Sequence, residues 1–90
     1  MTLLETAIKT YGKDMQLNVA IEEFSELIKE ICKNKRGREN LDSIIEEMAD
    51  CYIMLEQLVL IFGIENDEIN RVISEKLDRL AVRLTSDVSK

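Results

Sequence analysis

Apolar residues recur every three or four positions along most of the chain, and this spacing places them on one face of an α-helix. Interruptions of the pattern divide the chain into four predicted helices. A short first helix ends at Gly12, and three longer helices are expected at about 15–35, 41–62 and 67–86. We therefore predict an all-α fold, a four-helix up-down bundle unit made of a short N-terminal helix and three longer helices.

Residues typical of helix ends stand at these interruptions. Thr2 and Glu5 have the spacing of a capping box, in which each side chain accepts a hydrogen bond from the other residue's backbone N–H. The first helix is expected to pack on the hairpin formed by the second and third helices. The remaining candidate caps and stops are Asp14, Asn40, Asp42, Gly63, Asn66 and Asp67.

The third helix is apolar on nearly every side from Ile53 to Phe62, a pattern typical of a helix that is buried all round. The 90 residues make a single domain, 1–90, and 46% of them are hydrophobic. A chain of this length buries only about 60–65% of the surface that its unfolded form exposes. Cover from another subunit solves the problem most simply, so we expect a homo-oligomer.

The most informative polar pattern is a pair of acids three residues apart, and it occurs twice, as Glu23 with Glu26 and as Glu47 with Asp50. This spacing stacks both side chains on one face of a helix, here on a flank of the apolar stripe. Gly37 lies between the pairs, so a chain that folds back there brings them level across an antiparallel hairpin. Four carboxylates at one level repel unless a proton or a cation neutralises them, and Mg²⁺ prefers such oxygen ligands. The alternative is a pair of solvated acidic faces.

Lys76, Arg79 and Arg83 lie along one flank of the predicted fourth helix. They are either a solvated basic flank or the partners of the acidic pairs.

Composition excludes several classes of function. The absence of His rules out Ser-His and Cys-His catalysis and any His-ligated metal site. The net charge of −6 disfavours a nucleic-acid partner. We see no membrane-length apolar run and no signal-peptide pattern at Met1, so we expect a cytoplasmic protein without a membrane partner. Cys32 and Cys51 have apolar neighbours and are expected to be reduced core residues.

The acidic pattern also resembles a known family. Glu22-Glu23-x-x-Glu26 followed by Glu47-x-x-Asp50 is similar to the EExxE…ExxD signature of the MazG-like all-α nucleoside triphosphate pyrophosphohydrolases, and the resemblance extends over about 11–84. It implies cleavage of a nucleoside triphosphate between the α and β phosphates, giving a monophosphate and pyrophosphate. It also implies Mg²⁺, with Mn²⁺ as a substitute. The implied metal ligands are Glu23, Glu26, Glu47 and Asp50.

The resemblance extends to the fourth helix and to the assembly. Lys76 and Arg79, with Arg83 beyond them, would meet the substrate phosphates, although Ser74 stands where many members have Asn. Related proteins form homodimers or homotetramers with sites at subunit contacts. A carboxylate outside the closest metal shell, Glu22 or Glu26, is the candidate general base.

Two rival functions share the same fold. One is a non-catalytic helical oligomerisation or interaction module, and the other is a regulator that binds nucleotide without hydrolysing it. In neither of these functions would the acidic residues form a catalytic site.

Overall fold

A computed structural model describes residues 1–88 and contains four α-helices and no strand within that range. The helices are α1 (Leu3–Tyr11), α2 (Lys13–Lys35), α3 (Leu41–Phe62) and α4 (Asn66–Val88). The predicted all-α class and the number of helices are confirmed. The ends of α1 and α3 fall where the sequence pattern places them, and α2 starts two residues earlier than expected.

The helix ends follow the capping chemistry of the sequence at the start of α1 and at the end of α3, whereas Asn40 precedes α3 without a side-chain capping hydrogen bond. Glu5 N–H donates to Thr2 Oγ1 at 3.2 Å and Thr2 N–H donates to Glu5 Oε1 at 3.3 Å, which completes the predicted capping box. Gly63 ends α3 with a φ of 63°, a left-handed conformation that glycine adopts without strain. The prediction that Asp14 caps α2 is wrong, because Gly12 alone separates α1 from α2 and Asp14 lies within the first turn.

The α2 and α3 helices form an antiparallel hairpin, and α1 packs against both, as predicted. The buried apolar residues are few: Ala20, Cys51, Met54 and Ile61. Two glutamines, Gln16 and Gln57, are buried with them, and the apolar periodicity gave no sign of this. The hairpin interior is therefore thin and partly polar.

Much of the predicted apolar stripe remains exposed. Ile28 on α2 is 62% exposed and Tyr52 on α3 is 67% exposed. Cys32 is also exposed, so its predicted core position is wrong: it lies twelve residues after the buried Ala20, which turns it about 120° away on the helix. An open apolar cleft of about 310 Å³ lies on the hairpin, lined by Phe24, Leu27, Met48, Cys51, Tyr52 and Leu55.

The α4 helix makes no extensive contact with the other three helices, and none of its residues is buried. Its apolar stripe is uncovered within the described chain, with Leu80 41% and Leu77 58% exposed. One chain therefore does not close a four-helix bundle, and the up-down bundle stays a prediction.

The dimensions of the molecule also indicate that its apolar surface is incompletely covered. The radius of gyration is 17.0 Å, whereas a compact chain of this length has about 12 Å. The accessible surface is 7296 Å², whereas a compact monomer of this mass exposes about 5,400 Å². The difference, roughly 1,900 Å², is more than the about 800 Å² that a standard-size subunit interface removes from each partner. Among residues 1–88, no helix combines the length and apolarity that a membrane crossing needs.

Candidate metal centre

Three carboxylates meet in the contact between α2 and α3. Glu23 comes from α2, while Glu47 and Asp50 come from neighbouring turns of α3. One carboxylate oxygen from each of the three lies within 4.8 Å of the other two, and all three residues are half-buried. The antiparallel hairpin brings the two acidic motifs level, because residues before and after the turn are nearly equidistant from it. We call Glu23, Glu47 and Asp50 the acidic cluster.

The other predicted members of the site lie at its edge. Glu26 is exposed and outside the acidic cluster, although its charge raises the pKa of Glu47. Glu22 is also exposed, and its charge raises the pKa of Glu23. The structure therefore brings together three of the four predicted metal ligands and leaves Glu22 and Glu26 beside them, open to solvent.

The acidic cluster is electrostatically unfavourable when every member is charged. The pKa of Glu23 is raised, first by a hydrogen bond between its carboxyl group and Asp50, which needs a proton on one of the two, and then by desolvation and like charges. The pKa of Glu47 is raised mainly by desolvation, with further contributions from Asp50, Glu26 and Glu30. Burial and the three neighbouring acids likewise raise the pKa of the Cys51 thiol.

One atom of the acidic cluster lacks a partner. Glu47 Oε2 is buried and has no hydrogen-bond partner within residues 1–88. A buried charged oxygen without a partner is costly, and a divalent cation is one group that would satisfy it. The nearby thiol does not compete, since Cys51 Sγ donates to the backbone oxygen of Glu23 at 3.5 Å. The oxygen-only donor set fits a hard cation such as Mg²⁺ or Mn²⁺.

A further carboxylate, Glu30, lies next to the acidic cluster on the turn side. Its charge raises the pKa of Glu47, and its Oε2 accepts an ion-pair contact from Lys33 Nζ at 3.5 Å. Glu30 is not among the site residues that the sequence predicts, although it lies four residues after Glu26 on α2. Glu30 also lines an open cleft of about 770 Å³ at the α2–α3 turn, and none of the three residues of the acidic cluster lines that cleft.

The predicted phosphate-binding residues lie elsewhere. Lys76, Arg79 and Arg83 are exposed on α4, which makes no extensive contact with the hairpin. The two salt bridges formed within residues 1–88 involve other cations, Lys33 and Arg71. One chain therefore does not bring its basic flank to its acidic cluster.

The chain matches no protein-family model, no curated protein and no solved structure. The function has to be inferred from the geometry and chemistry of the site.

We predict that the acidic cluster destabilises the metal-free protein at neutral pH. Because the folded-state pKa of Glu23 is raised, the stability linked to its protonation is present below the unfolded pKa and is lost as pH rises through the folded pKa. Glu23→Gln should therefore raise the melting temperature at neutral pH, and this gain should disappear as the pH falls to about 4.

Thermal unfolding followed by circular dichroism in chelator measures this effect. Glu39→Gln, an exposed position in the α2–α3 turn, is the matched control and should show no such gain. A Glu23→Gln protein that is less stable than the wild type at neutral pH would contradict the electrostatic assignment.

Proposed function

We propose that this protein is a Mg²⁺-dependent nucleoside triphosphate pyrophosphohydrolase that releases a nucleoside monophosphate and pyrophosphate. The observation that supports this proposal most directly is the acidic cluster, in which α2 and α3 bring three carboxylates together. The oxygen donors, the raised pKa values of Glu23 and Glu47 and the partnerless Glu47 Oε2 all favour a cation there. A cytoplasmic location is part of the proposal.

Glu23, Glu47 and Asp50 would hold the metal, and Glu26, whose charge raises the pKa of Glu47, would contribute from the edge. When bound, Mg²⁺ would neutralise phosphate charge and lower the pKa of a coordinated water. The half-buried setting of the three carboxylates strengthens their electrostatic interactions relative to bulk water.

The reaction needs a group that accepts a proton from the attacking water. The water oxygen would bond to the α-phosphorus, the bond from that phosphorus to the bridging oxygen would break, and pyrophosphate would leave. Glu26 is the preferred base, because its carboxylate is exposed beside the cluster. Glu22 is the second candidate, on the Glu23 side.

The substrate phosphates also need positive charge, and we propose that α4 of a second copy supplies it. The basic flank of Lys76, Arg79 and Arg83 complements the acidic hairpin in sign, and the apolar stripe beside it requires cover. The excess accessible surface is sufficient for such an interface. The assembly would be a homodimer or a homotetramer in which helices from different chains complete up-down bundles.

The exposed apolar surface also favours a second candidate function. A non-catalytic oligomerisation module would need the same uncovered stripes on α3 and α4 but would not need the acidic cluster. A nucleotide-binding regulator would need both and would show no turnover.

The proposed reaction predicts metal-dependent release of pyrophosphate from nucleoside triphosphates. Asp50→Asn should lower turnover by at least about a hundredfold while preserving the helical circular dichroism, because it removes a ligand charge from the acidic cluster. Mg²⁺ at 100 times its dissociation constant should stabilise the wild type by about 2.7 kcal/mol and Asp50→Asn by much less.

A coupled pyrophosphate assay across standard and modified nucleotides measures the reaction, with Glu39→Gln as the control that keeps activity. Release of inorganic phosphate would point to different chemistry. No turnover with Mg²⁺ or Mn²⁺ would favour the interaction module or the regulator.

A shared site predicts complementation between inactive chains. Asp50→Asn lacks a metal ligand, and Lys76→Ala lacks a phosphate contact of a kind commonly worth about 2–4 kcal/mol. When equal amounts of the two proteins exchange subunits, half of the dimers are mixed, and one of the two sites in each mixed dimer is intact. Mixing should therefore restore about a quarter of wild-type activity. No recovery after confirmed exchange would show that the site belongs to one chain.

If the chain self-associates through α4, substitutions on two different faces of this helix should have different effects on the assembly. Leu80 lies on the apolar stripe, whereas Val82 is 71% exposed on another face. Leu80→Gln should weaken self-association by about 1.5–3 kcal/mol for each leucine that the interface buries. The matched Val82→Gln should leave it unchanged. Sedimentation equilibrium measures both, and a monomeric wild type at micromolar concentration would contradict the proposed assembly.

A further inference from the structure

Asn40 makes an unusual set of contacts at the start of α3. Its side chain is almost fully buried, with only 8% of the residue exposed. Asn40 Nδ2 donates to the backbone oxygen of Glu30 on α2 at 2.9 Å, and Asn40 Oδ1 accepts from Asn34 Nδ2 at 3.3 Å. These bonds join the end of α2 to the beginning of α3 across the turn.

Asn40 makes these contacts instead of the side-chain capping hydrogen bond that its position favours. It is the N-cap residue of α3, yet its side chain makes no capping hydrogen bond. Asparagine is among the best N-cap residues, and a capping bond typically contributes about 1 kcal/mol. A strong local preference that is set aside often marks a residue with another role.

The position of the Asn40–Glu30 contact relates it to the acidic cluster. Glu23 lies seven residues before Glu30, and Glu47 lies seven residues after Asn40. Seven residues are about two helical turns, or about 10.5 Å, so both contacts lie on the same seam of the hairpin. Sliding one helix by a single residue would displace Glu47 by about 1.5 Å and turn it by about 100°.

We propose that Asn40 is a positioning residue, which fixes the register of α2 against α3 so that Glu23 meets Glu47 and Asp50 in one metal-binding cluster. This inference rests on the proposed function for its metal. The register itself is a property of the metal-free chain. Asn40 acts through the three carboxylates, and its own side chain is committed to Glu30 and Asn34.

The substitution Asn40→Ser separates positioning from capping. Serine is an equally good N-cap residue but is too short to reach the Glu30 carbonyl, so α3 should remain stable. We expect the dissociation constant for Mn²⁺ alone, measured by electron paramagnetic resonance of the free ion, to rise about tenfold or more. The melting temperature in chelator should not fall. Asn66→Ser makes the same change at the start of α4 and should leave Mn²⁺ affinity unchanged.

A second measurement reads the register without metal. Cys51 Sγ lies 3.5 Å from the backbone oxygen of Glu23, so nuclear Overhauser contacts between these residues report on the level of the acidic cluster. In Asn40→Ser these contacts should weaken or move to neighbouring residues. If the wild type binds no Mn²⁺ but the contacts still move, the register role stands and the proposed metal site is rejected.

Three results would overturn the proposal. One is unchanged Mn²⁺ affinity in Asn40→Ser when the wild type binds the ion. Another is a loss of affinity that only parallels a loss of stability, which would make Asn40 an ordinary structural residue. The third is an unchanged pattern of contacts between Cys51 and Glu23.

Discussion

The close approach of the Glu23, Glu47 and Asp50 carboxylates is the constraint on which the rest of this structure depends. These carboxylates lie in the α2–α3 contact, where apolar or neutral residues would pack with less strain. The pKa of Glu23 is raised first by its hydrogen bond to Asp50 and the pKa of Glu47 first by desolvation, and neighbouring like charges raise both further. At the turn end, Asn40 Nδ2 donates a hydrogen bond to the backbone oxygen of Glu30, and we propose that this contact keeps the two helices level. Such an arrangement is costly for stability and suited to a cation.

The same hairpin is short of apolar cover. Among residues 1–88, only four apolar residues are buried, and the stripe on α4 contacts no large surface of the other three helices. A basic flank runs beside that stripe, whereas the net charge of the chain is −6. Joining α4 of one copy to the hairpin of another would cover the stripe and bring opposite charges together. The proposed site and the proposed assembly thus both follow from the cover and the positive charge that the hairpin of a single chain lacks.

The sequence predicts local structure better than tertiary contacts. Helical periodicity and end residues such as Thr2, Gly12 and Gly63 locate the four helices, because capping chemistry is local. The acidic cluster is also accessible from sequence, since i, i+3 spacing and a central turn determine which acids become level. The exposure of Glu26 and the burial of Gln57 cannot be predicted from the sequence, because small rotations about the helix axis decide both. The isolation of α4 could not be foreseen, since its stripe is equally compatible with its own hairpin and with a partner's.

The most direct test of the central claim is a crystal structure with Mn²⁺ and a non-hydrolysable nucleoside triphosphate analogue. Anomalous scattering identifies the ion independently of the atomic coordinates. We predict a peak among the carboxylates of Glu23, Glu47 and Asp50, with the analogue's phosphates between that peak and Lys76 of another copy. A metal bound elsewhere, or an acidic cluster that holds no ion while the nucleotide is bound, would contradict it.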